Sequence, residues 1–435
     1  MSSYKSFVAY FQMMLILVLH HVDSFGQETS ENPQIQSTGT ESISNTEPVL
    51  TKEIAEQFML DGYQVKLDVF KSITLDAAKV LSESDAFLSL DSLTDLPVEA
   101  AKYLSQSDST LSLTGLKEIS LDLAAALSES QGGLLDLRGL TALPDDAAKS
   151  LAKFNGFSLY LGGLTSMSDE VAEAFGMYKG TMLELSDLVE LSDSAAERFC
   201  KIHAMVILPS LKKISVPVAQ SLAKVSDRVD LGLESITEQV AAELAKSESL
   251  MCLRELSTLT DKEAAALANY KGSLSVIGLK EFPNTAGHRA LAQKLIDEEE
   301  EINFIRLIEL SDEVAEIFGS NDGDLSFRKL PTLSPRAAKA FSQKRRSLFL
   351  FEVTSLSDEA AEELAKGDSK AIYLLGLTEI SDRAAEAFAD FKGVLDLRGL
   401  TTISEQAAES LARRTNPVLV DLNKLPQPVR KILTR

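Results

Sequence analysis

Tryptophan is absent from this 435-residue chain, cysteine occurs twice, histidine four times, and aromatic residues make up only 6%. Two cysteines cannot supply a disulfide framework. Positive charge is also short, with 43 Lys and Arg against 65 Asp and Glu, a formal net charge of −22. A field of that sign repels phosphate backbones and acidic lipid, so nucleic acid and membrane surfaces are not expected partners. Beyond the first 26 residues no apolar run is long enough to cross a bilayer. HxxH, CxxC and GxSxG arrangements are missing, which leaves zinc, thiol-redox and serine-nucleophile chemistry without a recognisable carrier. No Asn-x-Ser/Thr sequon occurs either.

What the chain does have is apolar content of 45%, dominated by Leu and Ala. Its N-terminus is distinct from the rest. Lys5 is followed by an apolar stretch from Phe7 to Val22, broken only by Gln12, His20 and His21, and then by Ser24-Phe25-Gly26. One early cation, an apolar run and a small-x-small site lay out a secretory signal peptide over 1–26, cleaved after Gly26. The alternative is an uncleaved anchor, since the run is about as long as a marginal span. Residues 27–48 are rich in Ser, Thr, Glu and Asn and carry too little apolar surface to order themselves, which is the composition of a disordered linker. The expected location is secreted, or periplasmic and cell-envelope, with no stable membrane insertion after cleavage.

From residue 49 to 435 one unit returns in steps of about 23 residues, about sixteen times in all. Its pattern is L-x-L-x-x-L-x-x-L-S/T-D/E-x-A-A-x-x-L-A, as in Leu135 to Ala152 and again in Leu395 to Ala412. First strand residues are expected at Val65, Leu88, Leu111, Leu135 and so on to about Val418. In L-x-L both leucines point inward and the residue between them outward. Glycine before the third leucine, as at Gly139 and Gly399, is expected to supply a positive φ for the turn out of the strand. Ser or Thr then caps a helix and the acidic residue beside it complements the helix N-terminus. The Ala pair and the following Leu or Phe share one helical face.

A single unit cannot cover its own apolar face, but stacked units share a continuous core. The fold class expected is therefore α/β, a solenoid with a parallel sheet on one face and one short helix per unit on the other. Helices need more spacing than strands, so the sheet is expected on the concave face and the helices on the convex face. Cys200 and Cys252 fall three units apart, a strand offset of about 14 Å, beyond disulfide reach. Cys200 is expected to be packed and Cys252 to lie on the sheet face.

These units resemble leucine-rich repeats, and most of all the cysteine-containing subclass of F-box substrate receptors, whose L-x-L-x-x-C-x-x-I-T-D-x-A-L-x-x-L-A has the same spacing. The resemblance spans residues 50 to about 430. In this chain Leu116, Leu140, Leu164 and Leu377 occupy the cysteine position, replacing a hydrogen-bonded turn ladder with an apolar spine. No F-box segment precedes the repeats, so the ubiquitin-ligase role is not implied. Because animal extracellular repeats of this family often carry disulfide-rich caps, the resemblance implies a bacterial exported protein.

Two units depart from the pattern. Gly232-Leu233 closes the turn early in the unit starting at Val229. The unit from Leu274 runs through a longer helix, Ala286 to Ile296, into the acidic stretch Glu298–Glu301, where a local bulge or change of curvature is expected. His203 and His288 both fall near helix ends and are expected on the solvated surface. Asn321-Asp322-Gly323-Asp324 superficially suggests a calcium loop but lacks the further ligands, so a helix-to-strand turn is expected.

Most positions expected to face out of the sheet carry Ser, Asp, Glu, Arg or Gly, among them Asp136, Arg138, Glu184, Asp230, Asp396 and Arg398. Near the C-terminal end Ile305, then Phe349 and Phe351, then Tyr373 and Leu375 would project from neighbouring strands. Outward aromatic and aliphatic residues on a sheet suit a partner-binding hot spot. The expected function is a non-enzymatic, exported module that binds a protein, with no cofactor and no metal. The alternative is a cell-envelope structural or adhesion component binding wall polymer or glycan, for which Tyr160 is the isolated aromatic outside the patch.

Overall fold

The computed structural model describes residues 48–434, apart from 63, 64, 109, 131, 299, 300, 344 and 417. The signal-peptide and linker assignments lie outside the described residues. From Leu88 onward each repeat opens with a strand of two to four residues, such as Leu134–Asp136, Ser158–Tyr160 and Met205–Leu208. Strands pair in parallel with the units before and after them in sequence order, giving one nine-stranded sheet from Leu88 to Ser275 and one six-stranded sheet from Ile302 to Leu419. Register follows the repeat, with Leu135 opposite Leu159, Leu159 opposite Leu183, and Leu183 opposite Val206. The fold is an α/β leucine-rich-repeat solenoid in two layers, strands stacked on strands and helices on helices. Among the described residues no helix is long and apolar enough to cross a membrane.

The core lies between the layers. Both leucines of each L-x-L are buried, as are the spine residues Leu116, Leu140, Leu164 and Leu377. Each spine residue donates its N–H back three residues, as Leu140 does to the Leu137 carbonyl at 3.0 Å, which turns the chain away from the sheet. The Ala pairs, such as Ala147 and Ala148, are also fully buried. With only a methyl group, they let the helix sit close to the strands.

Gly139 and Gly399 have a different purpose from the one expected. Neither takes a left-handed φ; a Cβ at Gly139 would meet the Thr114 carbonyl oxygen at 1.9 Å, and one at Gly399 the Leu375 oxygen at 2.0 Å. Glycine is needed because the preceding unit's backbone passes where a side chain would be.

The Ser-Asp pair at each helix start also does more than cap. Ser168, Ser215, Ser381 and Ser404 accept from the backbone N–H three residues on, the normal N-cap bond. Each hydroxyl then donates to the acidic residue one unit earlier: Ser168 to Asp145 at 2.8 Å, Ser215 to Asp193, Ser381 to Asp358 and Ser404 to Asp382. A polar ladder thus runs along the helix starts, although the cysteine ladder has been exchanged for leucine.

The first expected strand does not form. Leu67 enters the core but Val65 is only half-buried, and Leu67–Val69 closes as a 3-10 turn. In the long unit after Leu274 the expected irregularity takes the form of a break: among the described residues no ladder joins Leu274–Ser275 to Ile302–Phe304. The helix there, Ala286–Glu298, is 13 residues long. The two units are joined past the strands instead, by Ile308 N–H on the Lys280 carbonyl at 2.8 Å and by pairing of Glu281–Phe282 with Glu309–Leu310. Behind the break Phe282, Phe304, Phe318, Phe327 and Phe341 form a run of ring contacts at 5.1 to 6.2 Å.

His288 is not a surface residue. It lies in the first turn of the long helix at 1% exposure, edge-on to Phe282, because its N–H caps onto Thr285 three residues back and it takes the place that buried Ala384 and Ala407 hold in their units. Its Nδ1 is 2.8 Å from the Thr285 hydroxyl, and its Nε2 has no hydrogen-bond partner. Burial holds its pKa below the ordinary histidine value. His203 is exposed, as expected.

Both cysteines are free. Cys200 ends a helix, half-buried, with its thiol on the Glu197 carbonyl at 3.2 Å. Cys252 stands in the outward row opposite Asp230 and Ser275, yet it is only 3% exposed, hydrogen-bonded to Ser275 and close to Arg228 and Arg254. The Asn321–Asp324 segment is a turn: Gly323 N–H donates to Asn321 Oδ1 at 2.6 Å and Ser347 N–H to Asp324 Oδ1 at 2.7 Å.

Candidate partner-binding surface

Alternation along the strands builds two outward rows across the six-stranded sheet. Register places Asn303 beside Ser326, Ser326 beside Phe349, Phe349 beside Tyr373, Tyr373 beside Asp396 and Asp396 beside Leu419. Two residues further along each strand, the second row reads Ile305, Arg328, Phe351, Leu375 and Arg398.

Four of the five residues expected in the patch come together. Phe349 and Tyr373 stack with ring centroids 4.6 Å apart and planes within 8°. Phe351 tilts against Phe349 at 5.8 Å. Phe349, Phe351, Tyr373 and Leu375 are all half-buried, so none has turned into the core. Offset stacks of this kind add about 1 kcal/mol to the burial of the rings.

Ile305 is placed apart. The Leu325–Phe327 strand lies between its own strand and that of Phe349, because the parallel register puts Ser326 between Asn303 and Phe349. Ile305 is half-buried, and its N–H donates across the sheet break to the Ile277 carbonyl at 3.1 Å. It therefore belongs to the break and not to the aromatic cluster.

Two neighbours of the cluster were not visible in the sequence. Val394, 40% exposed, stands opposite Ala371, two residues before Tyr373, while Leu419, 41% exposed, stands beyond the Asp396–Arg398 pair that separates it from Tyr373. Arg328 is exposed with its guanidinium 6.0 Å from the Phe351 ring centre. The available signal was the alignment of unit against unit, which places Arg328 beside Phe351; an L-x-L pattern taken one unit at a time does not.

Elsewhere on the sheet face several arginines pair with carboxylates. Arg138 holds Asp136 through Nε at 3.1 Å and Nη2 at 2.6 Å, and it lies 5.1 Å over the Tyr160 ring. Arg398 holds Asp396 in the same way, with Nη2 to Oδ2 at 2.6 Å, and Arg228 holds Asp230 at 2.7 Å. Covered by their arginines, Asp136 is 3% exposed and Asp396 0%. Tyr160 is half-buried under Arg138, and burial pushes its hydroxyl pKa up. Arg306 reaches Glu255 across the break at 2.7 Å.

No protein-family model and no curated protein sequence matches this chain. Solved structures do resemble it. An internalin from Listeria monocytogenes is 14% identical with a TM-score of 0.39, covering 85% of this chain and 94% of that one. A leucine-rich-repeat protein of Leptospira interrogans is 14% identical with a TM-score of 0.43, covering 79% and 92%. Drosophila Toll, solved in complex with Spatzle, is 14% identical with a TM-score of 0.46, covering 79% of this chain and 54% of that one. At 14% identity and TM-scores below 0.5, none of these likenesses carries an argument about this chain. The fold, a leucine-rich-repeat solenoid, rests on the parallel strand-turn-helix repeat seen in the chain itself.

Proposed function

We propose that this chain is an exported, non-enzymatic protein-interaction module that binds its partner on the sheet face, at the cluster of Phe349, Phe351, Tyr373 and Leu375. The observation that carries the reading is the Phe349–Tyr373 stack, held outside the core on a sheet face where Asp136, Asp230 and Asp396 are each paired with an arginine. A folded chain gains nothing by leaving rings half in water. Covering them recovers about 25 cal/mol for each Å² of apolar surface. Aromatic residues with Arg nearby are also the usual composition of interface hot spots. The spacing difference between strands and helices makes this face the concave one, where a partner is contacted by several units at once.

The non-enzymatic part of the reading is supported by how the polar side chains are used. The helix-start aspartates are engaged in the Ser ladder, and His288 is sealed in the core away from His203. Export rests on the layout of residues 1–26 and is tested separately, by N-terminal sequencing of the protein recovered from the medium or envelope.

The binding test is a pull-down from whole-cell and envelope fractions with the wild-type solenoid and with Phe349→Ser/Phe351→Ser. Both positions are half-exposed, so circular dichroism of the variant should match the wild type. Loss of a defined protein from the variant's eluate supports the reading. Equal recovery by both proteins, or recovery of soluble polysaccharide in place of protein, overturns it.

A further inference from the structure

We infer that the partner segment received by this patch is acidic: it carries an apolar anchor flanked by carboxylates, one of which pairs with Arg328. The inference rests on the patch being the binding surface and adds the chemistry of what it binds.

Four units of the chain carry arginine at one place in the repeat: Leu135-Asp136-Leu137-Arg138, Leu325-Ser326-Phe327-Arg328, Leu395-Asp396-Leu397-Arg398 and Met251-Cys252-Leu253-Arg254. In the first and third, the aspartate two residues earlier holds the arginine in a two-pronged ion pair. In the second that aspartate is Ser326, and Arg328 makes no ion pair among the described residues. Its side chain is exposed beside Phe351, on a chain whose net charge is −22. The carboxylate that neutralises Arg138 and Arg398 is absent at Arg328 and at Arg254; Arg254 is half-buried near Cys252, whereas Arg328 is exposed beside the aromatic cluster. A guanidinium presents five N–H donors in a planar fork, which matches a carboxylate.

The row fixes the geometry of the occupant. Arg328, Phe351, Leu375 and Arg398 stand on successive strands, so the two arginines are about three strand spacings, or about 14 Å, apart. Arg398 keeps part of its fork free, since its bonds to Asp396 use only Nε and Nη2. An extended segment advances about 3.4 Å per residue. One lying across the strands would therefore place carboxylates about four residues apart, with one or two apolar side chains between them over Phe351 and Leu375. The chain's overall negative field repels a polyanion such as RNA, but a short segment with two carboxylates around an apolar anchor gains more from burial than it loses at that distance.

The test uses a random dodecapeptide phage library selected against the full-length chain and three variants. Ser326→Asp installs the partner that Asp136 and Asp396 provide in the sister units, quenching Arg328 while leaving every apolar side chain of the patch in place. Arg328→Glu reverses the charge, and Phe349→Ser/Phe351→Ser removes the stack. Wild type should enrich peptides with Asp or Glu on both sides of an aromatic or aliphatic pair. The best such peptide, labelled with fluorescein, should bind Ser326→Asp about tenfold more weakly. Arg328→Glu should select Lys or Arg in place of the acids. If wild type shows no acidic enrichment, or if Ser326→Asp and Arg328→Glu select the same peptides as wild type, the inference is wrong. It is equally wrong if a labelled dodecauridylate binds the wild type and Arg328→Glu abolishes that binding. Should Phe349→Ser/Phe351→Ser select as wild type does, the patch itself fails and the inference falls with it; loss of selection there with unchanged charge variants removes the acidic partner alone.

Discussion

Replacing Ser381 with alanine tests whether the Ser-Asp pair couples neighbouring units or simply caps single helices. The hydroxyl accepts from the Ala384 N–H at 3.0 Å and donates to the Asp358 carboxylate of the preceding unit. Loss of the cap costs about 1 kcal/mol. The bond to Asp358 is charge-assisted but solvent-exposed, so screening reduces it to about 0.5–1 kcal/mol. Ser381→Ala should therefore destabilise by about 1.5–2 kcal/mol. Asp358→Ala loses the same inter-unit bond together with about 0.5 kcal/mol of interaction with its own helix N-terminus. Because the shared bond can be lost only once, the double variant should fall short of the sum by about 0.5–1 kcal/mol. Hydrogen exchange at the Ala384 amide reads the local effect, and urea unfolding reads the global one. Costs that add within about 0.3 kcal/mol would show that the ladder carries no coupling.

Gly139→Ala should destabilise strongly, by more than about 2 kcal/mol, because its Cβ would overlap the Thr114 carbonyl oxygen, whereas Gly133→Ala, with open space around it, should change the urea midpoint little. His288 is held neutral by burial. Below about pH 6.5 the unfolded chain takes up a proton there before the folded one does, so stability should fall as pH drops from 6.5 toward the lower folded value and be flat above 6.5. In His288→Gln that contribution to the pH slope of the melting temperature should disappear; an unchanged slope refutes it. Cys252 is buried and its thiol pKa is raised by that burial. Ellman's reagent should modify it only on unfolding, and a fast reaction of the native Cys200→Ser variant would contradict this.

The repeat was legible because the apolar alternation and the Ala-Ala pair recur with constant spacing, and repetition averages out the ambiguity of any one segment. The strand register and the core membership of Leu140 or Ala147 follow from the same regularity. What could not be read was anything set by one unit's backbone acting on the next. Gly139 looks like a turn residue in isolation, and only the passage of Thr114 shows it to be a clearance residue. The Ser-Asp pair reads locally as a cap, while its second bond belongs to a residue one unit away. His288 sits at a helix start, where most residues are wet, but it is three residues after Thr285 and so occupies the first position of the Ala pair, which is buried in the sister units. In the candidate site, outward direction was correctly assigned to Phe349, Phe351, Tyr373 and Leu375. Ile305 was grouped with them because its unit was treated as adjacent, and the intervening Ser326–Arg328 segment was missed.

Site-specific photo-crosslinking tests the central claim most directly. A benzoylphenylalanine placed at Phe349 lies in the proposed interface; one placed at Lys149, on an exposed helix position, does not. Irradiation of cells exporting each variant should give a discrete protein adduct from position 349 and none from position 149. Adducts from position 149 alone, or none from position 349 under conditions where the chain is fully exported, would contradict a partner-binding sheet face.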